Sequence, residues 1–123
     1  MNEDINITVE ASFIEDQSDP DEGRFVFAYT VTIENQGQQA TRLLARHWVI
    51  EDANGRIEEL HGEGIIGQQP IIMPGSSYTY TSGTILETDI GTMQGSYQML
   101  SADGKPFDAE IPVFLLSVPR VLH

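Results

Sequence analysis

The chain has 123 residues, 40% hydrophobic, with 19 acidic and 6 basic side chains, a formal net charge of −13 and no cysteine. That length bounds one domain, residues 1–123, with a single core, and the charge repels phosphate backbones and anionic membrane surfaces, which argues against nucleic acid and membrane as partners. Without cysteine there is no disulfide, no thiolate zinc site and no nucleophilic thiol, in keeping with a reducing compartment.

From Ile5 the apolar residues take odd positions through Phe13, with Asn6, Thr8, Glu10 and Ser12 between them. This period of two predicts a half-buried first strand. Glu15 to Gly23 combines charge, Pro20 and Gly23 and reads as an exposed loop. A second alternating run, Phe25 to Ile33, then returns as a long hairpin partner of the first. Asn35-Gln36-Gly37 turns the chain into a third strand, Thr41 to Asp52, with Leu44, Trp48 and Ile50 on one parity and Leu43 and Val49 on the other. Ala53-Asn54-Gly55 is a tight turn, after which Ile57 to His61 forms a fourth strand.

The Gly- and Pro-rich segment Gly62 to Gly75 comes next, followed by strands over Ser77 to Leu86 and Gly91 to Leu100. Asp103-Gly104 turns into a seventh strand carrying Phe107, Ala109 and Ile111, and Pro112 bends the chain toward the apolar run Val113 to Val118. Seven to eight short strands without helical periodicity indicate an all-β, immunoglobulin or fibronectin type III-like sandwich of two antiparallel sheets, with a barrel as the alternative. No apolar run reaches the roughly 18 residues a membrane span needs. The start, Met1-Asn2-Glu3-Asp4, is acidic where a secretory signal is basic and then apolar, so a cytoplasmic location is expected.

Charge is uneven along the chain. Nine acids among residues 1–35 face Arg24 alone, which would draw a basic partner or divalent cations to that end and also keeps a domain dispersed.

Gly62-Glu63-Gly64-Ile65-Ile66-Gly67 matches the GxGxxG spacing of dinucleotide sites. That motif works only where it follows a strand and opens a helix, whose N-terminus holds the anion. Pro70 and Pro74 follow too closely for a helix here, so a Rossmann site is excluded. What remains is either a loop whose amides form a small anion nest or glycines placed where the backbone turns sharply. Extended spacing places Glu59, His61 and Glu63 on one side of a strand as candidate cation ligands, with His47 as a fourth group. No catalytic constellation is found. Ser82 lacks a nucleophile elbow, and Glu51 with Asp52, or Glu58 with Glu59, point to opposite faces of a strand.

The motifs Arg46-His47-Trp48, Asp52-Ala53-Asn54-Gly55, Gly62-x-Gly64-x-x-Gly67, Gln69-Pro70, Met73-Pro74-Gly75, Tyr80-Thr81-Ser82-Gly83, Gly91-x-Met93-x-Gly95-x-Tyr97 and Ile111-Pro112-x-Phe114 together resemble the ApaG family along essentially the whole chain. The resemblance implies a fibronectin type III-like sandwich and an association with cobalt resistance and magnesium efflux. The same domain in eukaryotic F-box proteins and in a DNA-polymerase-delta-interacting protein implies protein recognition. A pyrophosphate or nucleotide site proposed for the family's glycine motif carries over to Gly62, Gly64 and Gly67, although Glu63 inside the motif would oppose a phosphate. A soluble sandwich is itself no efflux channel, so any role in export is indirect.

The expectation is therefore a non-catalytic interaction module for a protein partner, a second copy of the chain included, with Arg46, His47, Trp48, Gln69 and Pro70 on its surface, Trp48 having the core as its alternative place, as the lone tryptophan of such sandwiches often does. The alternative is a small ligand or a divalent cation, magnesium or cobalt, at Gly62 to Gly67 with Glu59, His61 and Glu63. An enzyme acting on a nucleotide or phosphoester lacks a nucleophile and basic residues near the loop.

Overall fold

A computed structural model describes residues 4–65 and 67–119. Residues 1–3 of the acidic start and Ile66 of the glycine-rich run lie outside them. Eight strands form two antiparallel sheets: β1 (Ile5–Phe13), β2 (Phe25–Asn35), β3 (Thr41–Asp52), β4 (Ile57–Glu63), β5 (Ile71–Ile72), β6 (Ser77–Leu86), β7 (Ile90–Ser101) and β8 (Pro106–Ser117). One sheet has the order β1-β2-β6 and the other β4-β3-β7-β8, with β5 paired to the start of β3. The fold is thus the all-β sandwich that the alternating pattern predicts. No helix among the described residues is long and apolar enough to cross a membrane.

β1 and β2 pair from Ile5 opposite Asn35 to Phe13 opposite Phe27, and the odd residues of both strands face inward. Phe27, Tyr29, Val31 and Ile33 are buried against Leu43, Trp48, Met93, Tyr97 and Leu116 of the larger sheet in one continuous core. Each such side chain removed from water contributes about 1.5–3 kcal/mol, and this burial fixes the register of the strands. The Glu15 to Gly23 segment folds as two 3-10 turns, Glu15–Gln17 and Pro20–Glu22, the second closed by Gly23 in the left-handed region at φ 70°.

Three expectations change. The parity of β3 inverts: Leu43 is fully buried together with Trp48 and Ile50, because the register against β7 slips between Leu43 and Ala45 and inserts Leu44 as an extra residue. The segment after His61 is not all loop, since β4 continues to Glu63 and Ile71–Ile72 adds a short strand opposite Thr41 and Arg42. Pro112 does not end its strand. β8 runs through it, with Gly95 opposite Ile111 and Met93 opposite Phe114, so two residues of β8 face one of β7, a bulge where proline's missing N–H costs no ladder bond.

Candidate functional site

The β3 bulge and the glycine-rich segment hold each other. The Leu44 carbonyl, released from the β7 ladder, accepts the Gly64 amide at 2.7 Å and the Gln69 side-chain amide at 3.0 Å, while the Leu43 amide donates to the Pro70 carbonyl at 3.0 Å. A two-way bridge joins Ile65 and Gln68, each amide donating to the other's carbonyl. The amides of Gly64, Ile65 and Gln68, three that an anion nest would present, are spent within the chain. Gly64 sits at φ 59°, and a Cβ there would lie 2.0 Å from the Gln68 carbonyl oxygen, whereas a Cβ on Gly67 would meet open space at φ 74°. These glycines answer backbone demands of a sharp turn.

Arg46 lies opposite Gly62. With the bulge inverting parity, its side chain points to the inner side of the sheet, crosses the space a Gly62 side chain would take, and donates to the Gly64 carbonyl at 2.5 Å. Beneath it, in the sandwich, the hydroxyls of Tyr97 and Tyr80 are hydrogen-bonded. Burial pushes the Tyr80 phenol up to about 12 and raises that of Tyr97 further, and the nearby Arg46 offsets little of either. Both phenols stay protonated at neutral pH. Nothing in the residue spacing points to this trio, because the three come from β3, β6 and β7.

On the outer face of the larger sheet, His47 of β3 stands directly opposite His61 of β4. Their rings stack, with centroids 4.2 Å apart and planes inclined by 7°. Glu59, two residues before His61, falls on the same face and brings a carboxylate oxygen to 3.7 Å from His47 Nε2. One potential ligand atom from each of the three lies within 4.8 Å of the others. His47 Nε2 is buried and has no hydrogen-bond partner among the described residues. An open depression of about 340 Å³ beside the pair is lined by His47, His61, Glu63 and Gln98.

Of the residues the sequence nominates, the structure brings together Glu59, His61 and His47. Glu63 lines the depression, opposite Ala45, but is not among the clustered ligand atoms. Trp48 is a correction. At 2% exposure, with edge-to-face contacts to Tyr29, Tyr97 and Phe114, it is core and presents nothing to a partner, since the bulge turns its position inward. Arg46, Gln69 and Pro70 are engaged in docking the glycine segment onto β3, and Gly62, Gly64 and Gly67 shape it.

The fold and these surfaces define a small β-sandwich domain with β4 at the edge of its larger sheet and a histidine-bearing outer face. The ApaG domain matches residues 15–101. Protein ApaG of Pseudomonas aeruginosa strain LESB58 is 56% identical over 97% of this chain and 94% of its own length, and that of Thiobacillus denitrificans is 55% identical over the same shares. The crystal structure of the putative ApaA protein from Bordetella pertussis superposes with a TM-score of 0.93 at 43% identity, covering 96% of each chain. The C-terminal domain of wzt shares the fold alone, with a TM-score of 0.55 at 10% identity over 97% of this chain and 75% of that one. The chain belongs to the ApaG family.

Proposed function

We propose that the protein is a non-catalytic binding module that takes an extended, basic segment of a partner protein along the free edge of β4. The observation that carries this is the state of that strand. Among the described residues β4 pairs with β3 on one side only, every residue from Ile57 to His61 is exposed, and Ile57 and Leu60 stand 60% and 46% open to solvent. An unpaired edge offers backbone donors and acceptors to an incoming strand, and alternate side chains supply its specificity. Glu58, Glu59 and Glu63 on this strand, in a chain of net charge −13, favour lysine and arginine in the partner. Cobalt and magnesium tolerance would be reached through that partner, in the cytoplasm.

A photo-crosslinking residue in place of Leu60 tests the reading, with the same residue in place of Thr32 on the outer face of the smaller sheet as control. A discrete adduct formed at position 60 and not at 32 is the expected result. Equal labelling at both, or none at 60, sinks it, and an adduct of twice the chain mass would make the partner a second copy.

A further inference from the structure

We infer that His47, His61 and Glu59 form a binding site for a first-row transition-metal ion, with zinc as its representative, and that magnesium is not its ligand. The inference does not depend on the edge-strand reading.

The site is built by pairing register. Residues directly opposite in an antiparallel pair project their side chains to the same face, so the match of His47 with His61 sets two imidazoles side by side, and the period of two adds Glu59 from the same strand as His61. The stack at 4.2 Å keeps both rings on one side of the sheet. Among the described residues the Nε2 of His47 is shielded from water and has no hydrogen-bond partner, because the Glu59 carboxylate oxygen, at 3.7 Å, is beyond hydrogen-bond range. A buried nitrogen without a partner is costly, and a cation held between it, His61 and Glu59 would satisfy it.

The donor set selects the ion. Magnesium and calcium take oxygen ligands, magnesium with a near-octahedral shell that keeps several waters. Two imidazoles with one carboxylate suit zinc and its neighbours in the first transition row. A tetrahedral zinc with bonds near 2.0–2.1 Å needs its ligand atoms about 3.4 Å apart. The present spread of up to 4.8 Å closes by rotamer changes in side chains that are half-exposed or exposed. Three protein ligands leave the fourth position to water or to a donor from a partner. Glu63 is not required, which separates this site from the Glu59, His61 and Glu63 set that strand spacing alone proposes.

Calorimetric titration of the full chain with zinc chloride, repeated with magnesium chloride, tests it. Zinc is expected to bind one-to-one and magnesium to give no saturable heat. His47→Ala, His61→Ala and Glu59→Gln should each weaken zinc by at least about tenfold, the loss that even an outer partner of a metal ligand can cause, while Glu63→Gln leaves it unchanged. Glu59→Gln alters an exposed group and guards against loss of folding in the histidine variants. Imidazole nitrogen resonances in long-range proton–nitrogen spectra should shift for His47 and His61. No zinc binding, zinc binding indifferent to His47 and His61, or magnesium binding of equal strength would each overturn the site.

Discussion

Gly62 and Arg46 face each other across the β3–β4 pair, and the guanidinium carbon of Arg46 lies 2.7 Å from where a Gly62 Cβ would stand. The atoms in the way are the end of a flexible side chain, so Gly62→Ala should fold, displace Arg46 from the Gly64 carbonyl and cost about 1 kcal/mol. At Gly64 the obstacle is backbone, the Gln68 carbonyl at 2.0 Å, and φ is positive at 59°. Gly64→Ala is therefore expected to cost about 3 kcal/mol or more. Urea denaturation of the two variants decides it; equal costs would mean that the glycine segment does not hold this conformation.

The hydroxyl pair of Tyr80 and Tyr97 gives stability a defined dependence on pH. Both phenols titrate higher in the fold than the ordinary 10, Tyr80 at about 12 and Tyr97 above it, chiefly through burial. The folded state thus holds protons that the unfolded chain gives up. The contribution is fully present below pH 10 and is lost as pH rises through about 12. Tyr80→Phe leaves the Tyr97 hydroxyl buried without its partner and should cost about 1–3 kcal/mol. Because Tyr80→Phe with Tyr97→Phe removes both ends, the double variant should be more stable than the sum of single losses allows, as a double-mutant cycle would show.

Trp48 is the chain's sole tryptophan and is 2% exposed. Its fluorescence should be blue-shifted and shielded from acrylamide in the native state, moving to the red on unfolding. Trp48→Ala should cost about 3–5 kcal/mol. A native spectrum at the solvent-exposed wavelength would contradict the inverted parity of β3.

Asn35 is a buried polar anchor at 1% exposure. Its side-chain amide donates to the carbonyls of Gln39 at 2.8 Å and Ile72 at 2.9 Å, and its side-chain oxygen accepts the Gly37 amide at 2.9 Å. Asn35→Asp removes two donors and puts a carboxylate against two carbonyls, so it should cost about 3 kcal/mol or more at neutral pH, measured by thermal unfolding. Part of that loss should be recovered at low pH, where the carboxyl is protonated and can donate again.

Much of the fold is legible along the chain. The alternation of Ile5 to Phe13 and of Phe25 to Ile33 marks two strands with one buried face, and the turns at Gly37, Gly55 and Gly104 separate the later strands. Legibility stops where an extra residue enters a strand. Leu44 breaks the period in β3, so counting from either end gives different faces for Arg46 and Trp48, and the Pro112 bulge hides the continuity of β8. The glycine spacing is visible, yet its reason lies in contacts with Leu44, Gln68 and Arg46 that no spacing reveals. Of the candidate metal site, Glu59 and His61 follow from the period of two within one strand. His47 enters only as a neighbour on the preceding strand, and Glu63 drops out because its place in the register is opposite Ala45.

The amino-acid order determines by itself the number and position of most strands, the absence of disulfides, the acidic character and the family, since these depend on composition or on residues adjacent in the chain. Tertiary structure alone decided that His47 stacks on His61, that Arg46 turns inward over Gly62 toward Tyr97 and Tyr80, and that β4 is left as an edge strand among the described residues. Those outcomes rest on pairing register and on which side chains fill the space between two sheets. Both are settled by the burial of the whole core, among residues that local periodicity cannot connect.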